Sequence, residues 1–154
     1  KLVKEIRSSW GHATAGGYYL IYFGHVPAVG EHVWRYGARA AQAQRKIMET
    51  LSFWELSPVR ANGTEYDDLV TTGPAPNWQV LANEGVEYLI YFWGNKTLNP
   101  VRVKKPTSTY QYAWYATREW MMPLLTGETD DDVPAPPLSS WDAKTGVVLT
   151  LKRK

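Results

Sequence analysis

The chain of 154 residues contains eight tryptophans and ten tyrosines but no cysteine, and its formal charge is +2. This composition excludes a disulfide framework and a thiol nucleophile, and the near balance of charges argues against a dedicated nucleic-acid-binding protein. With 44% hydrophobic residues and no apolar run near the roughly 20 residues of a membrane-spanning helix, the sequence predicts a globular chain without a membrane span.

The N-terminal segment has the periodicity of a helix. Its apolar residues recur at spacings of three and four: Val3, Ile6, Trp10 and Ala13. This spacing predicts a helix over Lys1–Thr14 that ends at Gly16 and Gly17.

An aromatic and β-branched run, Tyr18–Phe23, follows between glycines. Because it is apolar on both faces, it predicts a strand that is covered on both sides, as is typical of parallel sheets. Two alternatives stay open. Either this strand joins an antiparallel sheet of the same chain, or its neighbours lie on sequence outside the chain.

A second helix is predicted after a loop that contains Pro27 and Gly30. Its apolar residues again repeat at spacings of three and four: Tyr36, Ala40, Ala43, Ile47, Leu51 and Trp54. The segment is also rich in alanine, glutamine and arginine, which favour helix.

From about Glu55 the pattern changes to short β-branched and aromatic runs separated by prolines and glycines, which favours an antiparallel sandwich. The firmest prediction is a hairpin over Trp78–Trp93 with Gly85 in the left-handed position of a three-residue loop. Further strands are predicted at Val101–Lys104, Tyr110–Tyr115, Glu119–Met122 and Val147–Lys152. In the last of these, Val147, Leu149 and Leu151 share one face.

The order of several short motifs resembles the end of a glycoside hydrolase (β/α)8 barrel of the apiosidase-like group, whose members carry a C-terminal β-sandwich. The motifs are Arg7–Trp10, Ala15–Gly17, Tyr22–His25, Ala41–Trp54, Phe53–Pro58, Val80–Gly85, Glu87–Phe92, Tyr112–Tyr115, Thr117–Trp120, Val133–Pro137, Trp141-Asp142 and Val147–Lys152. The chain departs from the family pattern at Glu119, where relatives often have glycine, and at an apparent insertion, Ala143–Gly146.

The resemblance implies an α+β fold: the last βα unit of a (β/α)8 barrel over residues 1–54, then an antiparallel β-sandwich over residues 55–154. Retaining glycosidases use two carboxyl groups roughly 5 Å apart, and in such barrels these lie at the ends of earlier strands. The resemblance therefore implies catalytic carboxylates upstream of this chain and none within it. Glu5, the only acid before the predicted barrel strand, is interpreted as a surface charge.

Tyr22, His25 and Trp34 are the candidate substrate-binding residues, because barrel enzymes display contact residues after the carboxyl ends of their strands. A sugar ring packs its apolar face on aromatic rings and hydrogen-bonds histidine or tyrosine. The alternative is that these side chains simply fill core and loop.

Two groups of residues suggest a metal site without fulfilling its pattern. His25, Glu31 and His32 lack a helical His-x-x-x-His spacing, and Thr129–Asp132 lacks the alternation of a calcium loop. Both are interpreted as solvated loops, so no metal and no cofactor is expected.

The tryptophans divide into two classes. Trp10 and Trp54 lie on helical apolar stripes and are expected in the core. Those on or beside predicted strands could include an exposed sugar platform, although more of them are expected to pack in the core: Trp78, Trp93, Trp114, Trp120 and Trp141.

The sequence thus predicts the C-terminal fragment of a secreted or cell-surface glycoside hydrolase, with carbohydrate and the remainder of the barrel as partners and no nucleic acid. The alternatives are a non-enzymatic carbohydrate- or matrix-binding β-sandwich module, or a surface protein that self-assembles through strand edges. Asn62 and Asn95 begin N-glycosylation sequons in predicted turns.

Overall fold

A computed structural model of the protein describes residues 2–17, 31–59, 70–71, 77–94, 97–103, 108–118, 122–140 and 142–154, with backbone alone at 31–36 and 70–71. The helices are α1 Leu2–Thr14, α2 Glu31–Met48 and α3 Asp142–Thr145, and a 3-10 turn spans Phe53–Glu55. The strands are β1 Ser57–Pro58, β2 Val70–Thr71, β3 Trp78–Asn83, β4 Glu87–Phe92, β5 Val101–Val103, β6 Tyr110–Ala116, β7 Leu125–Thr129, β8 Asp132–Val133 and β9 Val147–Arg153.

The strands form two antiparallel sheets. The larger sheet has six strands in the order β1-β3-β4-β9-β6-β7, and the smaller has three in the order β2-β5-β8. Every described pair is antiparallel. The predicted antiparallel character is therefore confirmed, and the fold is a mixture of helices and antiparallel sheets.

Residues of both sheets share one hydrophobic core. The larger sheet contributes Ile90, Phe92, Trp114, Leu149 and Leu151, and the smaller sheet contributes Val101, Val103 and Val133. The rings of Phe92 and Trp114 lie 5.5 Å apart, and the buried indole of Trp114 donates a hydrogen bond to the Pro134 carbonyl at 3.0 Å. The predicted face of Val147, Leu149 and Leu151 is confirmed.

The two long helices pack against the opposite face of the larger sheet. Their contribution to this second core is Ile6, Trp10, Ala40, Ile47 and, just beyond α2, Leu51, and the sheet contributes Leu81, Leu89, Tyr91, Tyr115 and Val148. All six residues of β4 are consequently buried. Alternate side chains of this central strand enter the two different cores.

The N-terminal helix and the hairpin match their predictions. Helix α1 ends with Gly17 N–H donating to the His12 carbonyl at 2.9 Å and Gly16 N–H donating to Ala13 at 3.1 Å, which is the Schellman pattern. In the hairpin, Asn83 pairs with Glu87 across a three-residue loop. The Gly85 φ of 77° confirms the left-handed position.

The prediction for the second helix was wrong at its C-terminus. Helix α2 ends at Met48, and Leu51 N–H then bonds the carbonyl three residues back, at Met48. This tight turn keeps Leu51 buried but sends Trp54 into the 3-10 turn, where 72% of it is exposed. Trp54 is therefore not a core residue, because the chain leaves the helix to reach the sheet edge at β1.

Other predictions fall partly or wholly outside the described residues. The Tyr18–Phe23 strand lies outside them, as do three of the four residues of the predicted Glu119–Met122 strand, and Met122 belongs to no strand. Strands β1, β2, β7 and β8 were not predicted, because they have only two to five residues and too little apolar alternation. The division at residues 54 and 55 stays a prediction.

Gly146 joins α3 to β9 at a point where no side chain fits. Its φ is 99°, and a Cβ added there would collide with the Phe92 carbonyl and the Tyr91 ring. Gly85 has a similar φ of 77°, but a Cβ there would meet nothing within 4 Å.

We expect Gly146→Ala to lower the free energy of unfolding by more than about 3 kcal/mol, because it adds a steric clash to the ~1–3 kcal/mol of left-handed backbone strain. Gly85→Ala, the control, is expected to lower the free energy of unfolding only by the left-handed backbone strain. Urea denaturation of both variants measures the difference. Equal losses would show that the close approach at Gly146 has no energetic weight.

Candidate functional site

The predicted substrate-binding residues are not brought together by the described structure. Tyr22 and His25 lie outside the described residues. Trp34 lies in the first six residues of α2, where only the backbone is described. Their role in a substrate pocket stays a prediction.

An aromatic stack joins α1 to the larger sheet. The Trp10 ring lies 5.8 Å from the Tyr91 ring at an interplanar angle of 25°, and Tyr91 stacks in turn on Trp93 at 5.2 Å and 21°. Trp10 is 1% exposed, which confirms its predicted place in the core. Because offset-stacked rings add attraction beyond the area that they bury, this stack fixes where α1 sits on β4.

The hydroxyl of Tyr91 extends the same contact to α3. It donates a hydrogen bond to the Thr145 carbonyl at 2.9 Å, and Arg7 Nε on α1 donates to the neighbouring Lys144 carbonyl at 2.6 Å. Burial raises the pKa of Tyr91 well above its ordinary value, while the positive charge of Arg7 opposes this shift. Two residues of α1 and β4 therefore hold the short helix that precedes β9.

Polar side chains fix the positions of α1 and α2 within this layer. Ser9 and Gln44 form a reciprocal pair, in which the Ser9 hydroxyl lies 2.5 Å from Gln44 Oε1 and Gln44 Nε2 donates to the Ser9 carbonyl at 3.1 Å. At the end of α1, the Thr14 hydroxyl lies 2.7 Å from the side-chain oxygen of Gln79 on β3. Since buried polar groups need their partners, these pairs specify one helix arrangement.

A groove of about 390 Å³ opens where α1 and α2 end. We call it the helix-end groove; it is lined by Gly16, Gly17, Arg45, Met48, Phe53 and Trp54. Phe53 and Trp54 meet edge to face, with ring centroids 5.3 Å apart. They are two of the three large hydrophobic residues that are exposed in the part of the chain that the structure describes.

A second groove, of about 410 Å³, lies on the helix-facing side of the larger sheet, beyond the area that α2 covers. We call it the sheet groove; it is lined by Gln111, Ala113, Thr126, Glu128, Thr150 and Lys152. Beside it, the buried carboxylate of Glu87 accepts a hydrogen bond from Ser52 N–H at 2.7 Å and pairs with Lys152 at 3.0 Å. No local pattern in the sequence predicts this groove, because its residues come from strands that are distant in sequence.

The acidic turn between β7 and β8 is occupied by a guanidinium group. Arg102 on β5 contacts Asp131 and Asp132, each at 2.8 Å. The hydrogen bond from Arg102 lowers the pKa of Asp132, and the same contact raises the pKa of Arg102. Two of the three clustered carboxylates thus form ion pairs with Arg102 on the neighbouring strand. Within the described ranges, no group of three potential ligands could hold a metal ion.

Two solved structures are similar in fold to this chain. The chain is similar to a crystal structure of a glycoside hydrolase family 5 protein from Bacteroides vulgatus ATCC 8482, with a TM-score of 0.67, 14% identity and 100% of this chain covered. It is equally similar to another solved glycoside hydrolase, with a TM-score of 0.67, 16% identity and 100% of the chain covered. No family model and no curated protein sequence matches the chain.

The match covers the whole of this chain but only part of each glycoside hydrolase. The chain spans only 36% of the first glycoside hydrolase and 37% of the second. At this identity the similarity shows the fold alone, and that fold makes up about a third of each larger protein.

In the described part of the chain, no helix is long and apolar enough to cross a membrane.

We expect Tyr91→Phe to lower the free energy of unfolding by about 1–3 kcal/mol, because it keeps the ring stack but removes a buried hydrogen bond. It should also weaken the pH dependence of stability. The raised folded pKa means that stability falls as pH rises above the ordinary tyrosine value of about 10. Urea titrations from neutral to alkaline pH measure both effects.

The control is Tyr112→Phe, at a ring that is only partly buried, which should change the free energy of unfolding by less than about 0.5 kcal/mol. The same loss in both variants would refute the role of the Tyr91 hydroxyl.

The Arg102 ion pair is testable by titration. In the wild-type chain, the carboxyl of Asp132 is expected to titrate below its ordinary pKa, and Arg102→Ala should raise that pKa toward the ordinary value. NMR titration of the side-chain carboxyl carbons gives both values. An unchanged pKa in Arg102→Ala would show that the guanidinium does not determine the titration of Asp132.

Proposed function

We propose that this chain is the C-terminal portion of a carbohydrate-active glycoside hydrolase of the apiosidase-like kind. In this proposal α1, the segment that follows it and α2 complete a (β/α)8 barrel, and the two sheets form a β-sandwich that braces the barrel. The catalytic carboxylates are supplied by sequence upstream of Lys1.

The observation that carries the proposal is the fold similarity over the whole chain to about a third of two glycoside hydrolases. A complete (β/α)8 barrel needs about 250 residues. This chain has 154, and all its described strand pairs are antiparallel. The chain therefore has room for only the end of a barrel. The helices α1 and α2, which pack side by side on the sheet, are the elements that fit this role.

The buried carboxylates of the described chain already have structural partners, which supports an upstream location for the catalytic pair. Glu87 is held by Ser52 N–H and Lys152. Asp142 accepts hydrogen bonds from the N–H and the hydroxyl of Ser139, and Asp142 N–H donates to the Ser139 hydroxyl oxygen at 3.2 Å, which makes a reciprocal pair at the start of α3. A catalytic acid or nucleophile needs an open position beside the substrate, which these two groups lack.

The helix-end groove supports a partner on the helix side. Exposed apolar residues that cluster beside a groove are typical of a surface that another part of a protein covers. Phe53 and Trp54 lie together at the C-terminal end of the helix layer. We propose that the remainder of the barrel packs near this surface, and that Tyr22, His25 and Trp34 line its substrate pocket.

The proposal is tested by comparing this chain with the longer protein translated from the coding sequence that precedes Lys1. We expect the longer protein to hydrolyse at least one member of a panel of aryl glycosides, and this chain to hydrolyse none. In the longer protein, Tyr22→Ala or His25→Ala should raise the KM, since those side chains would contact the sugar. Glu5→Gln is the matched control and should leave the activity unchanged.

Two results would contradict the proposal. One is hydrolysis by this chain alone that is abolished by Glu5→Gln or Glu31→Gln, which would place the catalytic carboxylates here. The other is a coding sequence in which a signal peptide immediately precedes Lys1, because no barrel could then be completed in the same polypeptide.

A further inference from the structure

The sheet groove exists because the helix layer covers only part of the larger sheet. Helix α2 and the turn after it pack over β3, β4 and β9, and Thr50 and Leu51 in this turn form one wall of the groove. The floor is made by β9, β6 and the edge strand β7. The groove therefore lies on a rigid, hydrogen-bonded surface.

The strand register places a row of polar side chains across this floor and onto β4 beside it. Glu87 pairs with Lys152, Lys152 with Gln111, and Gln111 with Glu128, so that four neighbouring strands contribute one residue each. Since paired residues on neighbouring strands point to the same face, these side chains form a continuous line. The line supplies an amide, an ammonium group and two carboxylates.

The next row towards the middle of the sheet is small and weakly polar. Thr150 pairs with Ala113, and Ala113 pairs with Thr126. The Thr150 hydroxyl bonds the Ala113 carbonyl at 3.3 Å. The short side chains of this row leave space above them, while Leu51 and Tyr115 add apolar surface to the lining.

The charges of the groove are balanced by local partners. Lys152 pairs with the buried Glu87 at 3.0 Å, and Glu128 pairs with Lys154 at 3.2 Å. A charged ligand would therefore meet no excess of opposite charge. A neutral ligand with many hydroxyls suits this lining, because each hydroxyl can both donate to a carboxylate and accept from an amide or ammonium group.

We propose that the sheet groove binds a neutral oligosaccharide. Its volume of about 410 Å³ falls within the roughly 300–1,000 Å³ of small-molecule sites. Its hydroxyl, amide and paired charged groups lie beside the apolar side chains of Leu51, Ala113 and Tyr115, and this mixture matches the alternating polar and apolar surface of sugar rings. The proposal does not depend on hydrolysis, since it requires binding by this chain alone.

The test is an NMR titration of the chain with neutral xylo-, cello-, manno- and malto-oligosaccharides at millimolar concentrations, with uronic-acid oligosaccharides and an extended peptide titrated separately for comparison. We expect at least one of them to shift the Gln111 side-chain amide and the backbone amides of Ala113, Thr126 and Thr150. Gln111→Ala should weaken that binding about fivefold or more, because it removes hydrogen bonds to the sugar. Gln42→Ala, which truncates an exposed glutamine on α2, is the matched control and should leave the affinity unchanged.

Salt dependence supplies an independent readout. Affinity for a neutral ligand should change little between about 0.05 and 0.5 M salt, because no net charge is neutralised on binding. The backbone spectrum of Gln111→Ala confirms that the variant is folded, since residue 111 is exposed and its substitution leaves both cores intact.

Four outcomes would overturn the proposal. The first is that no neutral oligosaccharide shifts the groove residues. The second is that the shifts centre on Trp54 and the helix-end groove. The third is that only uronic-acid oligosaccharides bind, and the fourth is that an extended peptide binds the edge of β7 while sugars do not. Failure of the hydrolase proposal would leave this test unaffected, because it uses no catalytic readout.

Discussion

Burial of β4 on both faces is the constraint on which the rest of the structure depends. Its even-numbered residues Tyr88, Ile90 and Phe92 enter the core between the sheets, whereas Leu89 and Tyr91 enter the core under the helices. A strand that is apolar on both faces must be covered on both faces, because exposing either one would leave a large apolar surface in water. The helix layer and the smaller sheet are the two covers. The pairing of β4 with β3 and β9 leaves it no free edge.

The contact between the helix layer and β4 combines apolar area with a small number of directional contacts. The Trp10–Tyr91–Trp93 stack supplies area, and the hydroxyl of Tyr91 ties the same point to α3. Hydrophobic burial alone would allow α1 to slide along the sheet, since it has no direction. The Ser9–Gln44 pair restricts that movement, because a displaced helix would leave buried polar groups without partners.

The two grooves follow from how much of the sheet the helices cover. The helix-end groove forms where α1 and α2 stop, and its exposed Phe53 and Trp54 suit contact with further protein. The sheet groove forms where the layer ends over β9, and its lining is polar and balanced in charge. The different chemistry of the two surfaces agrees with the two roles that we propose: one towards the rest of a glycoside hydrolase, and one towards a neutral glycan.

Elements that are specified by residues close together in the chain could be predicted from the sequence alone. Helix α1 follows from a regular apolar spacing that ends at two glycines, the hairpin from alternating strands around Gly85, and β9 from an apolar face of three residues. The resemblance of ordered motifs also agrees with the fold similarity to two solved glycoside hydrolases. Tertiary structure decided the remainder. Periodicity continues through Trp54, but the chain leaves the helix after Met48 to reach β1, and Trp54 becomes exposed.

A repeated pentapeptide shows the physical reason for this limit. Tyr-Leu-Ile-Tyr-Phe occurs at residues 19–23 and again at 88–92. The second copy is buried on both faces within an antiparallel sheet, although the same pattern in the first copy suggested a parallel one. Apolar residues on both faces of a strand show that it must be covered. They do not show which element covers it or in which direction its neighbours run.

The sheet groove illustrates the same limit, since Lys152, Gln111 and Glu128 become neighbours only when strand order and register are set. The sequence by itself determined which surfaces had to be buried, and only the tertiary structure decided which residues meet, because pairing depends on contacts between segments far apart in the chain.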